Sequence, residues 1–191
     1  MTHRIRRTLL ALALTGAAPL AAQQPAPFSP PPPAASPADV ASVDAILRAL
    51  YDVISGDSGV ARNWDRFRSL FAPGAQLMPV FQRPGQPVQT LVWTPEEYLR
   101  RNGPALERNG FHERETARRQ ESYGQIVHAF STYESRRRAS DPLPFARGIN
   151  SIQLWSDGSR WWVQSIMWWG ETAATPIPQR YLGSEIHEGD E

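Results

Sequence analysis

A histidine and a carboxylate on neighbouring strands are the first arrangement in this 191-residue chain that can move a proton. Taking Tyr123-Gly124 as a hairpin turn puts His128 on one face with Ile126, Phe130, Thr132 and Glu134. The neighbouring strand adds Glu113, Glu115, Ala117 and Arg119 to that face. A His within reach of Glu115 titrates near neutrality and serves as acid or base. The same pattern also describes a solvated strand of Arg–Glu pairs around a satisfied His. His112 stands nearer the strand end, and two histidines without any Cys make a poor ligand set, so no metal is expected.

Asn150 and Ser165 are the second arrangement. The stretch Arg147 to Trp169 reads as a β-hairpin about Asp157-Gly158, a dipeptide that accepts positive φ. In that register Leu154 faces Trp161, Ile152 faces Val163 and Asn150 faces Ser165. A polar pair in an apolar stripe must bond across the strands or present its polar groups to a ligand. The opposite face pairs Trp155 with Arg160, Gln153 with Trp162 and Ile149 with Ile166, with Trp168 beyond. Five of the seven Trp lie here, each able to bury roughly 150–250 Å². Both faces therefore need cover.

Composition removes several chemistries. Without Cys there is no thiol nucleophile, disulfide framework or cysteine metal site. All basic residues are Arg, which excludes a Schiff-base or phosphate-loop lysine. Arg114, Arg118, Arg119, Arg136, Arg137 and Arg138 would form an anion site if they converged. The interleaved Glu113, Glu115, Glu121 and Glu134 favour a solvated, charge-paired face instead.

Residues 1–22 read as a secretory signal: Arg4, Arg6 and Arg7 precede the apolar run Leu9–Leu14, and small residues follow. That run is too short for a membrane anchor. Its removal takes the formal net charge from +1 to about −2, and nothing in that balance suggests nucleic acid. The expectation is an exported, soluble protein, periplasmic or extracellular, with no cofactor. Residues 23–38 form a proline-rich linker, 39–171 the folded domain, and 172–191 a polar, mobile tail.

Within the domain, Ser36-Pro37-Ala38-Asp39 starts a helix carrying Val43, Ile46, Leu47, Leu50, Tyr51 and Ile54 on one face. Trp64, Phe67, Leu70 and Phe71 form a short second stripe, ended by Pro73-Gly74. A strand over Gln76–Phe81, a short return at Leu91–Trp93 and a capped helix from Thr94 follow. Phe111 to Arg138 is assigned two long strands, then comes the Trp-rich hairpin. Helices followed by strands predict an α+β domain with helices on one face of a curved antiparallel sheet.

The stretches SVDAILRALYDVISG, NWDRFRSLFAPGAQL, FSTYESRRR, FARGINSIQL and GSRWWVQSIMWW resemble the NTF2-like superfamily, the SnoaL-like and cystatin-like α+β proteins, over about Ser42 to Glu171. The look is that of secreted bacterial members of unassigned function. The resemblance implies a cone whose apolar pocket opens between helices and sheet, with Tyr51 near it and Trp64, Phe67 and Phe71 lining it. Core packing accounts equally for these aromatics. Tyr51 matches in type the helix tyrosine of the family's ketosteroid isomerases, in which a carboxylate base works with a Tyr donor. The base does not match: alignment on Leu70-Phe71-Ala72 puts Pro79 in its place.

The superfamily mixes enzymes with binding modules, and three readings stay open. The first is a module binding a small apolar or amphipathic molecule through Tyr51, Trp64, Phe67, Phe71, Asn150 and Ser165, without established catalysis. The second is an isomerase, dehydratase or hydrolase using Tyr51 and His128 with Glu115. The third is a dimeric interaction module whose pocket is filled by its own aromatics. The resemblance also implies a homodimer through the sheet face bearing Ile149, Trp162, Ile166 and Trp168.

Overall fold

The computed structural model describes residues 31–183 and 186–187. The signal segment 1–22 and the linker up to residue 30 lie outside the described residues, as do the acidic residues of the final stretch. Four helices precede or interrupt a seven-stranded sheet. The helices are α1 (Pro37–Val40), α2 (Val43–Ile54), α3 (Trp64–Leu70) and α4 (Pro95–Asn109). The strands are β1 (Phe71–Gln82), β2 (Val88–Thr90), β3 (His112–Tyr123), β4 (Ile126–Arg136), β5 (Ala146–Ser156), β6 (Trp161–Gly170) and the short β7 (Ile186–His187).

Local chemistry explains the helix ends. The single helix expected from Ser36 breaks at Ala41-Ser42, because the Ser42 side chain accepts from the Ala45 N–H and starts α2 afresh. Asn63 caps α3 in the same way. Thr94 and Glu97 form a reciprocal capping box at the head of α4, with Pro95 at its first position.

The sheet runs β2-β1-β6-β5-β4-β3-β7 and is curled without closing. Its four long strands β3 to β6 are antiparallel, as expected. The sheet as a whole is mixed, because β1 lies parallel to β6 and β7 lies parallel to β3. The helices fill the concave face. Ile46 and Leu47 of α2, Phe67 and Leu70 of α3, and Ala129, Ile152, Leu154 and Val163 of the sheet are almost wholly removed from water there. Truncating any one of the larger of these to Ala should cost about 2–5 kcal/mol.

Two registers differ from expectation, each through a displaced turn and a β-bulge. In the Trp-rich hairpin the loop takes the four residues Asp157–Arg160. The Asp157 carboxylate gathers the N–H groups of Ser159 and Arg160 and the indole N–H of Trp162. Trp155 then opposes Trp162 and Leu154 opposes Val163, and an extra residue at Gln164 brings Ser165 opposite Gln153. Ile166 and Trp168 consequently turn inward, whereas Ser165 and Met167 turn outward. The Asn150–Ser165 pair does not exist: Asn150 opposes Trp168.

In the β3–β4 hairpin the turn is Gly124-Gln125, with Tyr123 opposite Ile126 and Gly124 at φ +56°. An extra residue at Thr116 shifts the ladder again, so that Glu115 opposes Tyr133 and Glu113 opposes Ser135. A one-residue slip moves a side chain to the other face. Glu113 and Glu115 leave the face of His128 and join the concave one.

The convex face is covered in part by the chain itself. Residues 171–183 return over it, burying Ile177. Trp169 donates to Thr175 Oγ1 at 3.0 Å, Thr132 donates to the Tyr181 carbonyl at 2.7 Å, and the Tyr181 ring meets Phe130 edge-on at 5.1 Å. This stretch of the segment expected to be a mobile tail is packed, because its apolar residues have a Trp-rich face to cover.

Candidate functional site

Two cavities meet at Tyr51 and Glu113, which line both. The inner one, of about 290 Å³, lies between the helices and the concave face. Leu50, Ile54, Phe67, Leu77, Phe111 and Ile166 give it apolar walls. Its polar lining comes from Tyr51, Tyr98, Asn102, Glu113, Tyr133, Ser135 and Asn150. The outer one, of about 760 Å³, is a charged vestibule with Asp44, Arg48, His112, Glu115, Arg118 and Arg136 on its walls.

Glu113 is the electrostatic centre of the inner chamber. Its Oε2 accepts from Ser135 at 2.7 Å. Burial pushes its carboxyl up to about 7, against the opposing effect of hydrogen bonds from Ser135 and Asn150. A carboxyl half-ionised at neutral pH can both give and take a proton. The surrounding phenols shift in the same direction. Burial, reinforced by the negative charge of Glu113, holds the hydroxyls of Tyr51, Tyr98 and Tyr133 protonated well above the usual phenol range. They are donors at any physiological pH.

Tyr51 sits on α2 with its hydroxyl 2.6 Å from Ser131 Oγ and 3.1 Å from Asn150 Nδ2. Ser131 donates to Glu115 Oε1 at 2.5 Å. Glu115 is raised by burial and drawn back by Ser131 and by Arg118, 3.6 Å away. Arg118, 3 % exposed, also pairs with Asp44. It is therefore a buried member of this network and no part of a solvated basic face. Arg114 and Arg136 do pair at the surface, both with Glu134.

Tyr133 reaches the chamber because residue 148 is Gly. A Cβ there would stand 2.5 Å from the Tyr133 hydroxyl and 2.4 Å from the Trp169 carbonyl. Tyr98 comes from α4 and stacks on Phe67 at 5.6 Å. Asn102, one turn further, is held by the Tyr98 carbonyl at 3.1 Å.

The sequence candidates divide accordingly. Tyr51, Phe67 and Asn150 line the chamber. Phe71 is buried behind Phe67, with ring centroids 4.7 Å apart, and Trp64 turns its indole N–H to Glu107 at 2.9 Å. Neither lines the chamber. Ser165 is on the convex face. His128 is on that face too, with Nε2 2.9 Å from Ser151 Oγ, opposite Glu121 and Gln153. Glu115 is on the concave side, so the His128–Glu115 pair is not formed: the Thr116 bulge puts the two on opposite faces. His112 bonds Asp57 at 2.8 Å at the vestibule. Pro79 is buried in β1 opposite Trp168; the chamber's carboxyl comes from β3 instead.

Glu113, Tyr98, Tyr133, Ser131 and Ser135 were not singled out from the sequence. One signal was present for β4: Val127, Ala129, Ser131, Tyr133 and Ser135 alternate, an apolar run continued by hydroxyls on one face. Among the described residues no group of three or more His, Asp or Glu side chains is arranged to hold a metal ion. No helix among them is long and apolar enough to cross a membrane.

No protein-family model and no curated protein matches the chain. Solved structures do. LinA superposes with a TM-score of 0.51 at 12 % identity, over 79 % of this chain and 93 % of that one. An NTF2-like protein of unknown function from Methylobacillus flagellatus gives 0.45 at 12 % identity, over 69 % and 95 %. A protein of unknown function with a cystatin-like fold from Nostoc punctiforme gives 0.43 at 12 % identity, over 58 % and 78 %. At such identities the likeness is one of architecture, and with the curled sheet, the helices on its concave face and the chamber between them, this chain has the NTF2-like, cystatin-like α+β fold.

Proposed function

We propose that the inner chamber binds a small, largely apolar molecule carrying a polar oxygen, and that Glu113 exchanges a proton with it. One observation carries this reading: a carboxyl poised near neutrality in a chamber whose other walls are apolar side chains, protonated phenols and the neutral polar groups of Asn102, Ser135 and Asn150, with no cation among the described residues that line it. Structure-only packing would leave such a group paired with a cation or replaced by an apolar residue. As the base, Glu113 would take a proton from a carbon acid or hydroxyl, while the hydroxyls around it stabilise the negative charge that develops. The catalytic carboxylate is thus Glu113, in place of the His128–Glu115 pair.

The binding-only reading keeps the same chamber and drops the proton transfer. A pocket filled by its own aromatics has less support, since about 290 Å³ remains among Tyr51, Tyr98, Tyr133 and Phe67. Export rests on the first 22 residues of the sequence alone.

The test is a screen of small ketones and enones in heavy water, with melting temperature and deuterium incorporation at the carbon next to the carbonyl both recorded. Wild type should be stabilised and should catalyse exchange; Glu113→Gln should still be stabilised and should not. Stabilisation without exchange favours the binding-only reading. Silence in both across a broad library rejects the chamber as a ligand site.

A further inference from the structure

Ser131 has one hydroxyl proton and two neighbours that compete for it. It donates to Glu115 Oε1 at 2.5 Å, a charge-assisted bond. Its oxygen must then accept from the Tyr51 hydroxyl at 2.6 Å. A phenol whose proton is used in this way can only accept from its next neighbour, and Asn150 Nδ2 does donate to it at 3.1 Å. The chain runs in one direction: Asn150 to Tyr51, Tyr51 to Ser131, Ser131 to Glu115.

Glu115 fixes that direction, because a carboxylate has no proton to give back. The groups facing it are Arg118 of its own strand at 3.6 Å, Ser131 of β4, and Asp44 and Tyr51 of α2. Arg118 favours its ionised form, and Asp44 opposes it.

Tyr98 and Tyr133 stand outside this chain. Both line the inner chamber. Neither hydroxyl has a hydrogen-bond partner among the described residues, and each is near enough to Glu113 to sense its charge. A phenol proton with no protein acceptor is available to a ligand, and one committed to Ser131 is not.

Resting on the chamber reading above, we propose that Tyr98 and Tyr133, and not Tyr51, donate to the ligand's oxygen, and that Glu115 is a positioning residue that keeps the Tyr51 proton turned out of the chamber through Ser131. The ligand class is an apolar molecule with a carbonyl-type acceptor oxygen. Tyr51, the residue that resembles a family donor, is in this chain part of the wall.

Two measurements on the full-length mature protein test this. The first needs no ligand: with isotope at the tyrosine ζ carbons and an equal mixture of light and heavy water, a slowly exchanging hydroxyl gives a resolved doublet by NMR. Tyr51 should give the doublet, Tyr98 and Tyr133 single averaged lines, and Glu115→Gln should collapse the Tyr51 doublet, since a Gln amide can donate to Ser131 and reverse the chain. The second uses β-tetralone as probe. Tyr98→Phe and Tyr133→Phe should each weaken its binding roughly 3- to 10-fold, the worth of one ordinary hydrogen bond. Tyr51→Phe should change it less than about twofold, but should weaken it in the Glu115→Gln background. A weakening by Tyr51→Phe alone, with Tyr98→Phe and Tyr133→Phe silent, overturns the donor assignment while leaving the chamber reading in place. A fast Tyr51 hydroxyl overturns the positioning role. No binding of β-tetralone to wild type, with the Tyr51 doublet present, rejects the chamber reading and the donor assignment with it, and leaves the hydrogen-bond direction standing.

Discussion

Ser135 donates a 2.7 Å hydrogen bond to Glu113 across the β3–β4 ladder, and that bond does not outweigh the burial of the carboxyl it holds. A carboxyl raised from 4.5 to about 7 binds its proton more tightly in the folded than in the unfolded chain. Stability is therefore insensitive to this group below about pH 4, falls as pH rises through the interval between the two values, and stays lowered above it. The full difference is on the order of 3 kcal/mol. Urea unfolding of wild type across this range should show the decline, and Glu113→Gln should remove it. A decline that survives the substitution would assign it to another group.

Gly148→Ala should damage the chamber from outside it. The new Cβ would meet the Tyr133 hydroxyl at 2.5 Å and the Trp169 carbonyl at 2.4 Å, so ring and strand must both give way. A loss of about 1–3 kcal/mol is expected, with a change in the Tyr133 ring resonances. Unchanged stability and spectra would mean that the β5–β6 pair is looser at this point than its geometry indicates.

Arg118 is a buried cation whose partners are Asp44 and Glu115. Arg118→Ala leaves the Glu115 carboxylate enclosed without its countercharge and should cost about 3–5 kcal/mol. Adding Glu115→Gln removes that orphaned charge, so the double variant should recover part of the loss. Additive losses in a thermodynamic cycle would show that the two charges do not support one another.

The homodimer proposed for the sheet face must use what residues 171–183 leave uncovered. Ile166 and Trp168 face inward, so of the expected contact residues Ile149 and Trp162 remain on the convex face, beside Ile126 and Met167, 59 % and 41 % exposed. Sedimentation of the mature protein should report a dimer, and Met167→Glu should convert it to monomer without lowering the melting temperature of the isolated subunit. A monomer at high concentration in wild type would retire this interface.

Spacing alone was enough for much of the architecture. The apolar stripe of α2, the Thr94–Glu97 cap of α4 and the two long hairpins were legible, since each depends on contacts within a few residues. Tyr51, Phe67 and Asn150 were likewise placed on inward faces by local periodicity, and they line the chamber.

What periodicity could not locate were the extra residues at Thr116 and Gln164. A bulge changes the parity of everything beyond it, and its position depends on which partner strand competes for each hydrogen bond. For that reason Ser165, expected inward, lies outward, and Glu113 and Glu115, expected on the face of His128, lie on the other one, where Glu113 is the chamber's carboxyl.

The sequence by itself determined the helix faces, the approximate places of the hairpins and the identity of an α+β domain, because those follow from backbone preference and from alternation over short distances. Only the tertiary structure decided which carboxyl is buried and which tyrosines keep a free proton. Both depend on neighbours far apart in the chain: Ser131 and Ser135 beside Glu115 and Glu113, Gly148 beside Tyr133, and Arg118 beside Asp44.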